Sequence, residues 1–88
     1  MLKYTAAFYR QEIGWYVAEV LDFPGAVSQG RTLNSARRMI RDALRLLAET
    51  TIEQGQPLPL PNPRAKDKKA DAMETIPLRI RAQTAMAE

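Results

Sequence analysis

The sequence predicts an α+β fold. A two-layer β-β-β-α-β arrangement would place one long helix on one face of a four-stranded sheet. Three observations point to it. Apolar residues alternate with a period of two through residues 3–10 and 15–21. From Leu33 the period lengthens to about 3.6, the repeat of a helix with one buried face. Alternation then returns at Ile76, beyond a proline-rich and charged stretch.

The first strand spans residues 3–10. Tyr4, Ala6 and Phe8 fall on one face and Thr5, Ala7 and Tyr9 on the other. Gln11-Glu12-Ile13-Gly14 is polar and ends in glycine, as a hairpin loop does. Residues 15–21 form the second strand, with Tyr16, Ala18 and Val20 on one face and Trp15, Val17 and Leu21 on the other. Asp22-Phe23-Pro24-Gly25 reads as a turn, and residues 26–29 as a short third strand ended by Gly30.

Thr32 is a good N-cap. The stripe behind it comprises Leu33, Ala36, Ile40, Ala43, Leu44 and Leu47, with Met39 and Leu46 beside it. Gly55 and Pro57 stop the helix near Gln54. Its length is then roughly 33 Å at 1.5 Å per residue. The run from Pro57 to Pro63 is extended, and Arg64–Asp71 is expected to be a mobile, charged surface loop. The last strand, at about 73–82, directs Ile76, Leu78, Ile80 and Ala82 inward and Arg79 and Arg81 outward. Pro77 marks it as an edge strand or as the start of one. A right-handed crossover would set it beside and parallel to the first strand. Residues 83–88 are expected to fray. The organisation is one domain over residues 1–88, with a core at about 3–56, a connector at 57–72 and the final strand.

Composition narrows the function. The 88-residue chain has no cysteine and no histidine. It therefore lacks a thiolate site, the usual proton shuttle near neutral pH and the commonest metal ligand. No close Asp/Glu cluster suggests a hard-cation loop. These absences predict a protein that is not an enzyme and uses no metal or cofactor. The N-terminus carries no apolar run of membrane-spanning or signal-peptide length, which predicts a cytoplasmic location. The net charge of +3 is dispersed along the chain.

Two surfaces are candidate contact sites. One helix covers only one face of a sheet, so Trp15, Val17 and Leu21 would form an apolar patch on the other. Such a patch marks an oligomer or partner interface, here expected in a homo-oligomer, a dimer or tetramer. Arg37, Arg41 and Arg45, spaced i, i+4, i+8, form a basic helix face opposite the apolar stripe. They could meet phosphates, which makes an RNA-binding module the alternative function. The bland reading of the stripe is a solvated face, because Asp42 and Glu49 neutralise part of it. Asp22 is read as a turn cap, having no second acidic group on its face. Ser28–Thr32 is read as a strand-to-helix junction without phosphate-loop spacing.

The ordered run Asp22-Phe23-Pro24-Gly25-Ala26-Val27-Ser28-Gln29-Gly30-Arg31-Thr32, continuing to Ala36, resembles the HicB family. So does the preceding Gly14-Trp15-Tyr16-Val17-Ala18-Glu19-Val20, and so do Gly55, Pro57 and Pro59 behind the helix. The resemblance spans residues 3 to about 61. It implies a partly degraded RNase H-like fold and the antitoxin side of a toxin–antitoxin pair. Such a protein binds a small RNA-cleaving, HicA-like toxin and blocks its active site. The sequence after Ile80 is too short for the DNA-binding helices that many members carry, so a solitary N-terminal-type domain is expected. Where members often have acidic residues, this chain has Arg31, Asn34 and Ser35.

Overall fold

The computed structural model describes residues 2–80. The elements run β1 (Lys3–Arg10), β2 (Tyr16–Val20), β3 (Val27–Gly30), α1 (Leu33–Glu53) and β4 (Ala72–Pro77). The sheet order is β3-β2-β1-β4, and every neighbouring pair is antiparallel. The α+β class, the element order and the single covering helix agree with the reading of the sequence.

Tyr4, Ala6 and Phe8 of β1, Ala18 and Val20 of β2 and Ile76 of β4 face the helix and are buried. Against them α1 sets Ala36, Ile40, Leu44 and Ala48 at a strict i, i+4 spacing, all buried. Phe23, from the turn after β2, packs edge-on against Tyr4 with ring centroids 5.2 Å apart. The helix begins at a capping box. Thr32 Oγ1 accepts from Ser35 N–H, and Thr32 N–H donates to Ser35 Oγ, both at 3.0 Å. Gly30 is required just before it. A Cβ there would lie 2.5 Å from the backbone nitrogen of Ala36, so α1 can approach β3 this closely only over a glycine. Gly55 takes a positive φ of 74° and donates to Ile52 C=O, ending the helix where the sequence indicated.

The fourth strand departs from expectation in two ways. It lies beside β1, but antiparallel to it. The reason is the connector. Helix α1 ends at the Lys3 end of β1, and the extended segment after Gly55 carries the chain back along the sheet before β4 begins. That return passage replaces a simple crossover and reverses the strand. The strand also ends earlier, at Pro77, which cannot donate to a ladder. Leu78 is nonetheless buried, and Ile80 packs on the core from outside the strand. Arg81 and Ala82, and the end expected to fray, lie outside the described residues.

The connector is held rather than loose, which corrects the expected mobile loop at Arg64–Asp71. Leu58 packs against the core. Ala65 N–H closes a turn on Asn62 C=O, and Ala70 N–H closes another on Asp67 C=O. Arg10 N–H donates to Asp71 Oδ2 at 2.6 Å. The Arg10–Asp71 bond, with the Asp71 N–H donated to Phe8 C=O, ties the approach to β4 onto β1, and the two turn bonds satisfy backbone donors that an open loop would leave to water.

Candidate functional site

The sheet face turned away from α1 is the candidate contact surface. The register places Thr5, Ala7 and Tyr9 of β1, Val17 and Glu19 of β2, Val27 and Gln29 of β3, and Met73 and Thr75 of β4 on it. The connector crosses part of it. Asn62 N–H donates to Asp22 Oδ2 at 2.8 Å, at the Thr5 end of β1. The Tyr9 hydroxyl donates to Asp67 Oδ2 at 2.7 Å, near the other end. The connector thus runs along the outside of β1. Trp15, Val17 and Leu21 are each half-buried.

Asp22 makes this strapping work. Its Oδ1 accepts from Thr5 N–H at 2.9 Å, while Leu21 N–H donates to Thr5 C=O at 2.8 Å. The carboxylate replaces a strand carbonyl where the β1–β2 ladder ends, and its second oxygen holds the connector. That is a structural role, wider than the turn cap the sequence suggested. Tyr4 adds a second anchor, donating its hydroxyl to Pro59 C=O at 2.7 Å. Burial, and then the charge of Asp22, push the Tyr4 phenol up from its ordinary pKa, so it remains a donor. Burial is also the main cause that raises the Tyr9 phenol to about 12, with the Asp67 hydrogen bond second. Asp67 is lowered, first by the Lys69 backbone N–H and then by Tyr9.

Beyond the strap, the surface is open at the β1–β2 hairpin. Gln11, Glu12, Ile13, Trp15, Val17 and Gln29 line a shallow concavity there. Ile13, at the hairpin tip, is 81% exposed. The Arg31 guanidinium lies 5.3 Å from the Trp15 ring centroid, a cation–π arrangement that fixes the indole. The sequence marked Ile13 only as part of the hairpin loop, and it did not single out Arg31 as the neighbour of Trp15. Extending the antiparallel register from the Asp22–Gly25 turn would have put Arg31 opposite Trp15.

The basic residues are placed differently from their expected position. Arg37, Arg41 and Arg45 lie on the flank of the buried stripe facing β4, not opposite it. Arg37 pairs through Nε with Glu74 of β4 and donates to Asn34 Oδ1 at 2.7 Å. Arg45 pairs with Asp42 at 3.4 Å and with Glu49 at 3.8 Å. Among the described residues, Arg41 alone of the three has no carboxylate partner. Arg41 and Arg45 also line a cleft with Arg79, beside Asp42 and Leu78. With two of three guanidinium groups engaged internally, the RNA-binding alternative is not favoured. The junction before α1 is likewise occupied by its own capping box. Among the described residues, no three or more His, Cys, Asp or Glu side chains gather where they could hold a metal. None of their helices is long and apolar enough to cross a membrane.

The fold and this surface define a two-layer α+β domain that presents a strapped, partly apolar sheet face. Residues 4–79 match the family described as the HicB-like antitoxin of bacterial toxin–antitoxin systems. The chain belongs to that family. The UPF0150 protein Ta0767 of Thermoplasma acidophilum is 33% identical over 61 residues, which is 69% of this chain and 88% of that protein. The crystal structure of the N-terminal domain of the Burkholderia pseudomallei antitoxin HicB is similar, with a TM-score of 0.75 at 24% identity, over 89% of this chain and 99% of that one. A chain of the HicA3 and HicB3 toxin–antitoxin complex shares the fold, with a TM-score of 0.63 at 18% identity, over 90% and 98% of the two chains.

Proposed function

We propose that this protein is an antitoxin that binds a small, HicA-like RNA-cleaving toxin in the cytoplasm and neutralises it by occlusion. The observation that carries this reading is the open hairpin end of the outer face. There Ile13, Trp15 and Val17 offer apolar contact within a polar rim of Gln11, Glu12 and Gln29. A partially buried aromatic anchor ringed by polar groups is the usual composition of a protein-binding hot spot. Trp15 is preorganised by Arg31, so little side-chain entropy is lost on binding. Inhibition would need no turnover, only an interface that covers the toxin's active site. Membership of the antitoxin family and the likeness to a chain of a toxin–antitoxin complex support the reading.

The test is coexpression with a HicA-like toxin from the same genome. Growth should be restored by the wild-type chain and lost with Ile13→Asp or Val17→Glu. Both positions lie outside the α1-facing core, so the variants should keep the wild-type circular dichroism spectrum. Failure of the folded wild-type protein to relieve toxicity or to bind the toxin would reject the proposal.

A further inference from the structure

Beyond Pro77 the chain leaves the ladder but stays on the protein. Leu78 N–H donates to Leu2 C=O at 2.9 Å, the Leu78 side chain is buried, and Ile80 packs on the core. Arg79, between these two anchors, is exposed. Arg41 and Arg45 stand beside this segment on the near flank of α1. The three arginines line an open cleft of about 460 Å³, together with Asp42, Pro77, Leu78 and Ile80. Pockets that hold small ligands span roughly 300–1,000 Å³. The cleft shares no residue with the concavity at the β1–β2 hairpin.

The cleft holds more positive charge than the fold uses. Arg45 is engaged by Asp42 at 3.4 Å and by Glu49 at 3.8 Å, and the first of these pairs occupies the acidic group in the cleft wall. Arg41 and Arg79 are both exposed, and among the described residues neither guanidinium has a hydrogen bond or a carboxylate partner. A guanidinium fork matches the oxygens of a carboxylate or a phosphate. Two unengaged forks beside an aliphatic wall therefore favour an anionic ligand.

The wall decides which anion. Sites for single-stranded nucleic acid combine cations with aromatic rings on which bases stack. Among the described residues, no aromatic side chain lines this cleft. Pro77, Leu78 and Ile80 instead present aliphatic surface, which a free phosphate ion would leave in water. A peptide satisfies both features, with carboxylates for the arginines and an aliphatic side chain for the wall.

We propose that this cleft binds an acidic peptide segment of another protein, one in which an aliphatic residue stands between aspartates or glutamates. Its carboxylates pair with Arg41 and Arg79, and its aliphatic side chain lies against Pro77, Leu78 and Ile80. Arg45, held by its own acidic neighbours, shapes the cleft and adds little to the attraction. The site does not depend on the toxin reading, because the hairpin surface lies on other residues.

The test is an NMR titration of the intact chain with an end-capped Glu-Asp-Leu-Glu-Asp peptide at low salt. Amide shifts should concentrate at Arg41–Arg45 and Leu78–Ile80, with half-saturation at roughly 0.1–1 mM. The uncharged peptide Gln-Asn-Leu-Gln-Asn should bind at least about tenfold more weakly. Arg41→Gln and Arg79→Gln change exposed side chains that make no bond in the fold, and each should weaken binding at least about threefold. Lys68→Gln removes the same charge from the connector and should leave binding unchanged. Absence of saturation at several millimolar overturns the proposal. So does equal weakening by all three substitutions, or a hexauridylate that shifts the same amides at a lower concentration than the peptide.

Discussion

The two faces of the sheet bear similar alternating apolar residues and are covered by different means. The inner face meets a helix whose buried stripe repeats every four residues, and the contact is continuous and apolar. The outer face meets a connector without regular structure, pinned by carboxylates at Asp22, Asp67 and Asp71. A regular element buries side chains along its whole length because its period matches that of its partner. An irregular strap buries only what lies under it, and it must bring polar anchors to satisfy its own backbone. This is why Phe8 is fully buried while Val17, on the neighbouring strand and the opposite face, remains half-exposed. The half-covered face is where contact with another protein costs the fold least.

The largest expected effect breaks the inner face. Phe8→Ala should cost about 3–5 kcal/mol. A domain of this size has only roughly 4–13 kcal/mol in total, so the variant should be near unfolding in a urea titration. Val17→Ala should cost less than about 1 kcal/mol by the same measurement, because its side chain is only half removed from water. Equal losses would contradict the asymmetry.

Asp22→Ala tests the strap. It strips acceptors from Thr5 N–H and Asn62 N–H and should cost about 1–3 kcal/mol. Hydrogen exchange should accelerate at Asn62 while the α1 amides keep their order of protection. Tyr4→Phe removes only the bond to Pro59 C=O and should cost about 1 kcal/mol in thermal unfolding.

The smallest effect is the pH dependence of the Tyr9–Asp67 contact. Asp67 has a lowered pKa in the folded protein. Its contribution is present above the unfolded carboxylate pKa and is lost as pH falls through the lowered value. Tyr9 is raised to about 12. Its contribution is present below its unfolded pKa near 10 and is lost as pH rises through about 12. Tyr9→Phe lacks the contact at every pH, so its melting temperature should lie below that of the wild type between the two extremes and approach it at both. A constant difference from acid to alkali would show that the contact contributes nothing.

Much of this was legible in the residues. Thr32, Gly55 and the Leu33–Leu47 stripe bounded the helix correctly, because capping and a 3.6 period are local properties of the chain. Leu78 and Ile80 were correctly read as core residues although they lie past the strand, because burial follows alternation even where the ladder stops. Partial cover of Trp15, Val17 and Leu21 was legible, because β2 carries apolar residues on both faces. The path of the connector along β1 was not, because its composition, rich in proline and charge, resembles that of an unattached loop. The true position of the arginines was missed because a stripe at i+1 from the core row lies on its flank, and the partner of Arg37, Glu74, arrives only with the fourth strand.

The sequence by itself determined the elements, their order and the face each presents inward, since these follow from the burial preference of neighbouring residues. Only the tertiary structure decided the direction of β4, the path of the connector and which arginines are spent on internal pairs. The bonds that decide them join residues 40 positions apart at Asp22 and Asn62, 58 at Tyr9 and Asp67, and 61 at Arg10 and Asp71. No period in the chain encodes a partner that distant. Such bonds form once the core brings their ends together, so they are consequences of packing that the local pattern does not contain.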